Sequence, residues 1–411
     1  MIEGSEATTR RRLTRVLFAG VAMATTGYIA AITVATLAAR TILGSADLAG
    51  LPSAVAVIGT AGGTALWGQL APTRGRRFGL VAGFLSAATG AAISTVAVLT
   101  ESFPLLLAGM AVLGFGQSSS HLARYAAADL APAERRGRAV SFIVWAGTVG
   151  AVIGPRLLEP AGSLSERAFG APYAGGYLAT SVFMAASALV YWGLLRPEPN
   201  TVAVAEGVEG TPADSKIRPR SVLAHPGVQL AGIALVIGQA VMVLIMTATP
   251  VHIENTGFGL GVVGSIISAH TLGMFAFSPI TGRLTDLLGP VRVIAAGAVM
   301  LLVAALMAAG APDGANVMLG WGLFLLGLGW NFGFVAGSAL LTSSVDRASR
   351  PVIQGRVDAA VWSASALASA SSGLVLAGPG YRSLGIIGGG LVAVMVVALA
   401  TRGRQVGGQM A

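Results

Sequence analysis

Four histidines are spread over a chain of 411 residues in which only 10% are charged, and one of them stands where proton chemistry would matter. His270 falls about 11 residues, roughly 16 Å, into an apolar run that begins near residue 259. No Arg, Lys, Asp or Glu lies near the middle of any such run, as expected when a central charge costs about 2.5–3.5 kcal/mol on insertion. His270 is therefore the mid-depth side chain expected to take and release a proton, with water, Ser268 or Thr271 available to stabilise the charged ring. The competing reading is a neutral ring bonded to a neighbouring helix. His121, one turn before Arg124 and Tyr125, reads as part of a network near a helix end, and His252 with Glu254 as a contact at a helix mouth.

Uncharged polar side chains at similar depth are Thr25, Thr26, Tyr28, Gln117, Gln239, Trp330 and Asn331. Facing lipid they would be penalised, so they point at other helices or at a cavity; each serves equally well as helix glue or as a ligand contact. No H-E-x-x-H helix, G-x-S-x-G elbow or pair of intramembrane aspartates occurs, and scattered histidines make no metal site. Neither a cofactor nor a metal is expected, and a membrane enzyme is set aside as remote, together with a transporter-like sensor. The absence of cysteine removes disulfides and thiolate ligands from consideration.

The elements that must position these groups are membrane spans. With 54% hydrophobic residues, the chain reads as an all-α polytopic membrane protein of twelve transmembrane helices. Their expected positions are 16–38, 48–70, 78–99, 103–123, 139–158, 174–195, 227–251, 259–281, 291–310, 315–341, 356–378 and 383–400. A net charge of +9 follows topology rather than nucleic acid. Arg10, Arg11, Arg12, Arg74, Arg76, Arg77, Arg135, Arg136, Arg138, Arg347 and Arg350 all fall in loops on one side, whereas the opposite side holds Arg40, Arg156, Arg167 and Arg382. The positive-inside rule then puts both termini in the cytoplasm of a protein in the cell membrane. The run from Val16 to Ala38 is too long for a signal core and reads as an uncleaved first helix.

Two stretches repeat each other. Gly68-Gln-Leu-Ala-Pro-Thr-Arg-Gly75 and Gly282-Arg-Leu-Thr-Asp286-Leu-Leu-Gly289 both read G-x-L-x-x-x-x-G, and each is followed at nearly equal distance by a glycine pair, Gly114-Phe-Gly116 and Gly327-Leu-Gly329. A tandem duplication follows, with two six-helix bundles, 1–195 and 226–411, joined by a polar, proline-punctuated linker over 196–225. Glycines four apart suggest close helix crossings, above all Gly150 and Gly154, where Pro155 also kinks the span.

On these residues the chain resembles the major facilitator superfamily of secondary transporters. The stretch from Gly68 through Gly75 to Arg76 and Arg77 is similar to that family's hairpin motif, and Gly282 to Arg292 to its second copy. Gly150-x-x-x-Gly154-Pro155 is similar to the motif of its exporters, and the segment from Arg124 and Asp129 to Arg138 resembles bacterial exporter-like members. The resemblance implies alternating access, with spans one, four, seven and ten lining a cavity. Thr25, Thr26, Tyr28, Gln117, Gln239, Trp330 and Asn331 would then form a neutral pocket with Trp145 and Trp362 as walls. Two departures stand out. Pro72 replaces the aspartate of the first hairpin, so the charged latch is expected in the second half, with Asp286 near the start of the eleventh span and Arg347 or Arg350 as its partner. Met110 stands where proton-linked exporters often carry arginine.

A pocket with so little fixed charge suits a lipophilic or weakly polar cargo better than a phosphate or dicarboxylate. The expected activity is proton-linked export of such a small molecule by a monomer in the lipid bilayer. Uptake or facilitated diffusion of a small neutral nutrient is the alternative.

Overall fold

The computed structural model describes residues 2–44, 48–202, 222–257, 260–312 and 314–410. It is all-helical over the described residues, and twelve helices are long and apolar enough to cross a membrane. We label them α1 (Ile2–Leu43), α2 (Leu51–Arg74), α3 (Arg76–Leu99), α4 (Phe103–Asp129), α5 (Arg136–Ile153), α6 (Pro172–Leu194), α7 (Pro226–Asn255), α8 (Leu260–Phe275, continued as Ser278–Leu288), α9 (Pro290–Gly310), α10 (Asn316–Ser343), α11 (Arg350–Ala377) and α12 (Tyr381–Met410). Proline opens several of them, as at Pro52, Pro104, Pro172, Pro290 and Pro351, where its missing N–H and fixed φ cost nothing.

The chain falls into two compact units. One comprises Met1–Ala131, Ala146–Ala203 and Gln354–Ser363; the other comprises Pro132–Trp145, Val204–Ile353 and Ala364–Ala411. α5 thus divides between the units after Trp145, and the Gln354–Ser363 stretch of α11 belongs to the first unit while both ends of that helix belong to the second. Inside the first unit α4 packs on α2 and α3, α3 on α6, and α6 on α1; inside the second, α10 packs on α8 and α9, α9 on α12, and α12 on α7. The same pairing six helices later is the duplication expressed as packing.

The repeated glycines have repeated jobs. Gly75 and Gly289, the second glycine of each hairpin motif, turn the chain between α2 and α3 and between α8 and α9, both with φ of +83°. The first glycine of each motif sits where another helix crosses. Gly68 lies against Gly355 of α11, and Gly282 against Gly137 of α5. In the G-x-G pairs the two glycines face different neighbours: on α4, Gly114 meets α2 at Ala56 and Gly116 meets α3 at Ala87. On α10, Gly327 meets α8 at His270 and Gly329 meets α9 at Gly297. A side chain at any of these positions would push two backbones apart.

Several boundaries differ from expectation. α4 runs past residue 123 to Asp129, because Arg124 and Asp129 are buried in pairs inside the helix, and α11 starts at Arg350 rather than at residue 356. The eighth span is broken at 276–277, just ahead of Pro279, which removes a backbone donor. The fifth span breaks at Gly154, continuing through a 3-10 turn, Pro155–Leu157, into a short helix, Leu158–Phe169. Before that break Gly150 and Gly154 lie against Thr25 and Thr26 of α1.

Candidate functional site

Within the second unit, α7, α10 and α11 bring three polar side chains into one line. Trp330 Nε1 donates to Gln239 Oε1 at 2.8 Å, and Gln239 Nε2 donates to Ser365 Oγ at 3.2 Å. All three residues are buried. Phe334 stacks on Trp330 at 4.5 Å between centroids and 20° between planes, and Phe275 meets the same ring edge-on at 6.1 Å. The cluster therefore combines flat aromatic faces with an amide and a hydroxyl, and carries no formal charge.

Asn331, expected in that pocket, is occupied otherwise. Its Nδ2 donates to the Met274 carbonyl at 2.6 Å and to Ser278 Oγ at 2.7 Å, while Oδ1 accepts from Thr281 Oγ1 at 2.6 Å. These partners flank the break in α8, so Asn331 splices the broken helix onto α10. His270 is also buried. Its Nδ1 lies 2.9 Å from the Leu323 carbonyl, which can only accept, so Nδ1 carries the hydrogen; Nε2 has no partner among the described residues.

In the first unit, Gln117 is buried on α4, with Ser120 Oγ 3.4 Å from its Oε1. Thr26 bonds back to the Ala22 carbonyl at 2.8 Å, while Thr25 and Tyr28 are half-buried. Trp362 is half-buried with its ring 4.2 Å from that of His121. Trp145 is 40% exposed, beside Phe142.

Charged residues form two clusters. In the first unit Arg76 Nη2 reaches Asp129 Oδ2 at 2.7 Å and Gln354 Oε1 at 2.6 Å. One turn along α11, Asp358 Oδ1 accepts from Arg124 Nη2 at 2.6 Å and from Tyr125 OH at 3.0 Å. Arg124 also bonds Tyr125 OH and the His121 carbonyl, and its guanidinium lies over the Tyr125 ring at 4.3 Å. In the second unit Asp286 accepts from the backbone N–H of Gly137 at 2.8 Å, the N–H of Arg138 at 3.2 Å and Arg138 Nε at 2.7 Å. This is a carboxylate on a helix N-terminus.

One correction follows. Asp286 sits at the start of α5, not of α11, and its arginine is Arg138 rather than Arg347 or Arg350; Arg350 Nε instead donates to the Val345 carbonyl, and Arg347 lies in the turn before α11. The duplication explains the geometry: α5 and α11 are equivalent helices, so the second hairpin motif docks on the first helix of that pair. Toward the ends of α4 and α11, Arg124 and Asp358 are buried, at 1% and 0% exposed. Each offsets the other's desolvation, which an isolated charge could not do.

The profile of the Major Facilitator Superfamily matches residues 16–261 and 230–407. The MFS-type transporter YdeG of Bacillus subtilis (strain 168) is 37% identical over 384 residues, covering 92% of this chain and 89% of that one. The chain belongs to the Major Facilitator Superfamily. The riboflavin transporter RfnT of Brucella anthropi is 30% identical over 329 residues, 80% of each chain. Among solved structures, the human organic anion transporter MFSD10 superposes with a TM-score of 0.73 at 17% identity, covering 95% of this chain and 99% of that one. This Major Facilitator Superfamily member is a multi-pass membrane transporter.

The sequence reading missed Asp358, Gln354, Ser365 and Glu198. A signal for two of them was present: Gly137-Arg138 and Gly355-Arg356 are equivalent dipeptides of the duplication, which places Gln354 and Asp358 on the buried face of α11. Glu198, assigned to the linker, accepts from the N–H groups of Arg76 at 2.7 Å and Arg77 at 3.2 Å, and caps α3. It supplies an acid next to the hairpin in which Pro72 replaces one.

Proposed function

We propose that this protein is a secondary active transporter that exports a weakly polar, largely apolar small molecule in exchange for protons moving down their gradient. It works by alternating access between six-helix bundles, 1–195 and 226–411, joined by the 196–225 linker, as a monomer in the cell membrane with both termini cytoplasmic. The observation that carries the cargo class is the Gln239–Trp330–Ser365 line with its Phe334 and Phe275 faces. A flat heteroaromatic ring would stack on such faces while the amide reads its hydrogen-bonding edge. Gln117, Tyr28, Thr25 and Thr26 on α4 and α1 are the matching polar candidates of the first half. The name of RfnT supports a cargo of this kind. Support for export is the Gly150–Gly154–Pro155 break seated on α1.

Uptake of the same cargo is the second reading, favoured by the likeness of fold to proton symporters such as XylE. For coupling, His270 offers a single open ring nitrogen, but its other nitrogen is committed to the Leu323 carbonyl, and we assign the ring to packing of α8 on α10. The test of the cargo class is counterflow in proteoliposomes with riboflavin and a panel of neutral heteroaromatic compounds. Gln239→Ala should lower exchange of any transported compound about tenfold, the loss of one buried hydrogen-bonded contact of ~1.4 kcal/mol. A panel in which only sugars or carboxylates move would overturn the assignment.

A further inference from the structure

We infer that Asp358 is a proton-binding site whose protonation releases α11 from α2 and α4. This deepens the proton-linked reading above and rests on it. Three observations carry it. First, Asp358 is wholly buried, yet only Oδ1 is used: Oδ2 has no hydrogen-bond partner among the described residues. An orphaned oxygen on a buried carboxylate is costly if its purpose is solely structural, and it is the open lone pair at which a proton would be received.

Second, the interactions of Asp358 are those that a proton would cancel. Arg124 and Tyr125 both converge on Oδ1. With a proton on Oδ2, Arg124 faces a neutral acid, and a buried guanidinium without a counter-charge is unstable in place. The proton comes from water and returns to water; no other bond is made or broken.

Third, this pair stands beside a close backbone contact. Gly355, one turn from Asp358, lies against the Thr64 carbonyl and Gly68 of α2. A second polar tie of α11 in the first unit is Gln354 to Arg76, and Arg76 also holds Asp129. The titratable and charged groups around Asp358 are thus His121, Arg124, Tyr125 and Asp129 from α4 and Arg76 from the start of α3. The charged end of α2, Arg74, is exposed, as is Arg356 of α11. His121 presents its carbonyl to Arg124 and its ring to Trp362.

The sequence contains no cysteine, so one introduced thiol reports the opening without background. Thr64→Cys places it on α2 under Gly355, at a site with no exposed surface. Maleimide labelling of this variant, normalised to the same protein unfolded in detergent, should accelerate about tenfold between about pH 8 and about pH 5. In Thr64→Cys/Asp358→Asn, which mimics the protonated acid, labelling should be fast throughout and independent of pH. Labelling that is insensitive to pH with Asp358 intact would overturn the proposal, as would a pH dependence that survives Asp358→Asn. Should Asp358→Asn not fold, infrared difference spectra of the unaltered protein and Asp358→Glu decide the point. A protonated carboxyl band must appear on acidification and shift between the two; its absence overturns the assignment. No cargo enters either measurement, so a failed search for a transported compound leaves this result readable, and a latch indifferent to pH leaves the cargo assignment standing.

Discussion

Asn331 shows how a single side chain can be legible in kind while the sequence leaves its use open between helix glue and ligand contact. Its type and depth mark a buried polar group, but only the break in α8 shows that a carbonyl and two hydroxyls were waiting for it. Asn331→Ala would leave the Met274 carbonyl without its side-chain donor. The expected cost is about 1–2 kcal/mol, since interhelical hydrogen bonds in membranes are individually modest. Thermal unfolding in detergent should show the lowered midpoint, while Gln239→Ala, which alters the proposed binding line, should affect exchange more than stability. Buried charge follows a related logic. The fourth apolar run is cut ahead of Arg124, yet Arg124 and Asp358 carry their countercharges with them and so remain inside helices. A one-dimensional reading sees the cost of each charge and not the partner 234 positions away.

At the scale of elements, the duplicated motif was readable because backbone geometry demands it. Gly75 and Gly289 hold the same positive φ, and Gly68 and Gly282 receive crossing helices at the same point of each repeat. Which helix would cross was not readable, since equivalent helices of the two repeats exchange places: the second hairpin meets α5, and the first meets α11. Hence Asp286 caps α5 and binds Arg138, while the proline-bearing first hairpin relies on Arg76, Gln354 and the neighbouring Arg124–Asp358 pair. Asp286→Asn removes the charge from a helix N-terminus and weakens three hydrogen bonds. Transport should fall about tenfold, corresponding to ~1.4 kcal/mol. Pro72→Ala, at an exposed position, should change it little. Initial rates in the same vesicles check both, and a larger defect from Pro72→Ala would refute the asymmetry between the repeats.

For the whole molecule, the twelve helices follow from apolar length alone, whereas the coupling group does not. Sequence depth singled out His270, which the helix packing commits to Leu323; the packing leaves Asp358 with the open oxygen. On the proposed reading, a proton alters which helix contacts persist, and a largely uncharged cluster accommodates a weakly polar cargo. The measurement that tests this most directly is accumulation of a transported heteroaromatic probe, riboflavin first, in proteoliposomes under an imposed pH gradient. The unaltered protein and His270→Gln should both concentrate the probe and lose it when a protonophore is added. Asp358→Asn should equilibrate the probe by exchange but never concentrate it. Gradient-driven accumulation by Asp358→Asn, or its loss in His270→Gln alone, would contradict the account.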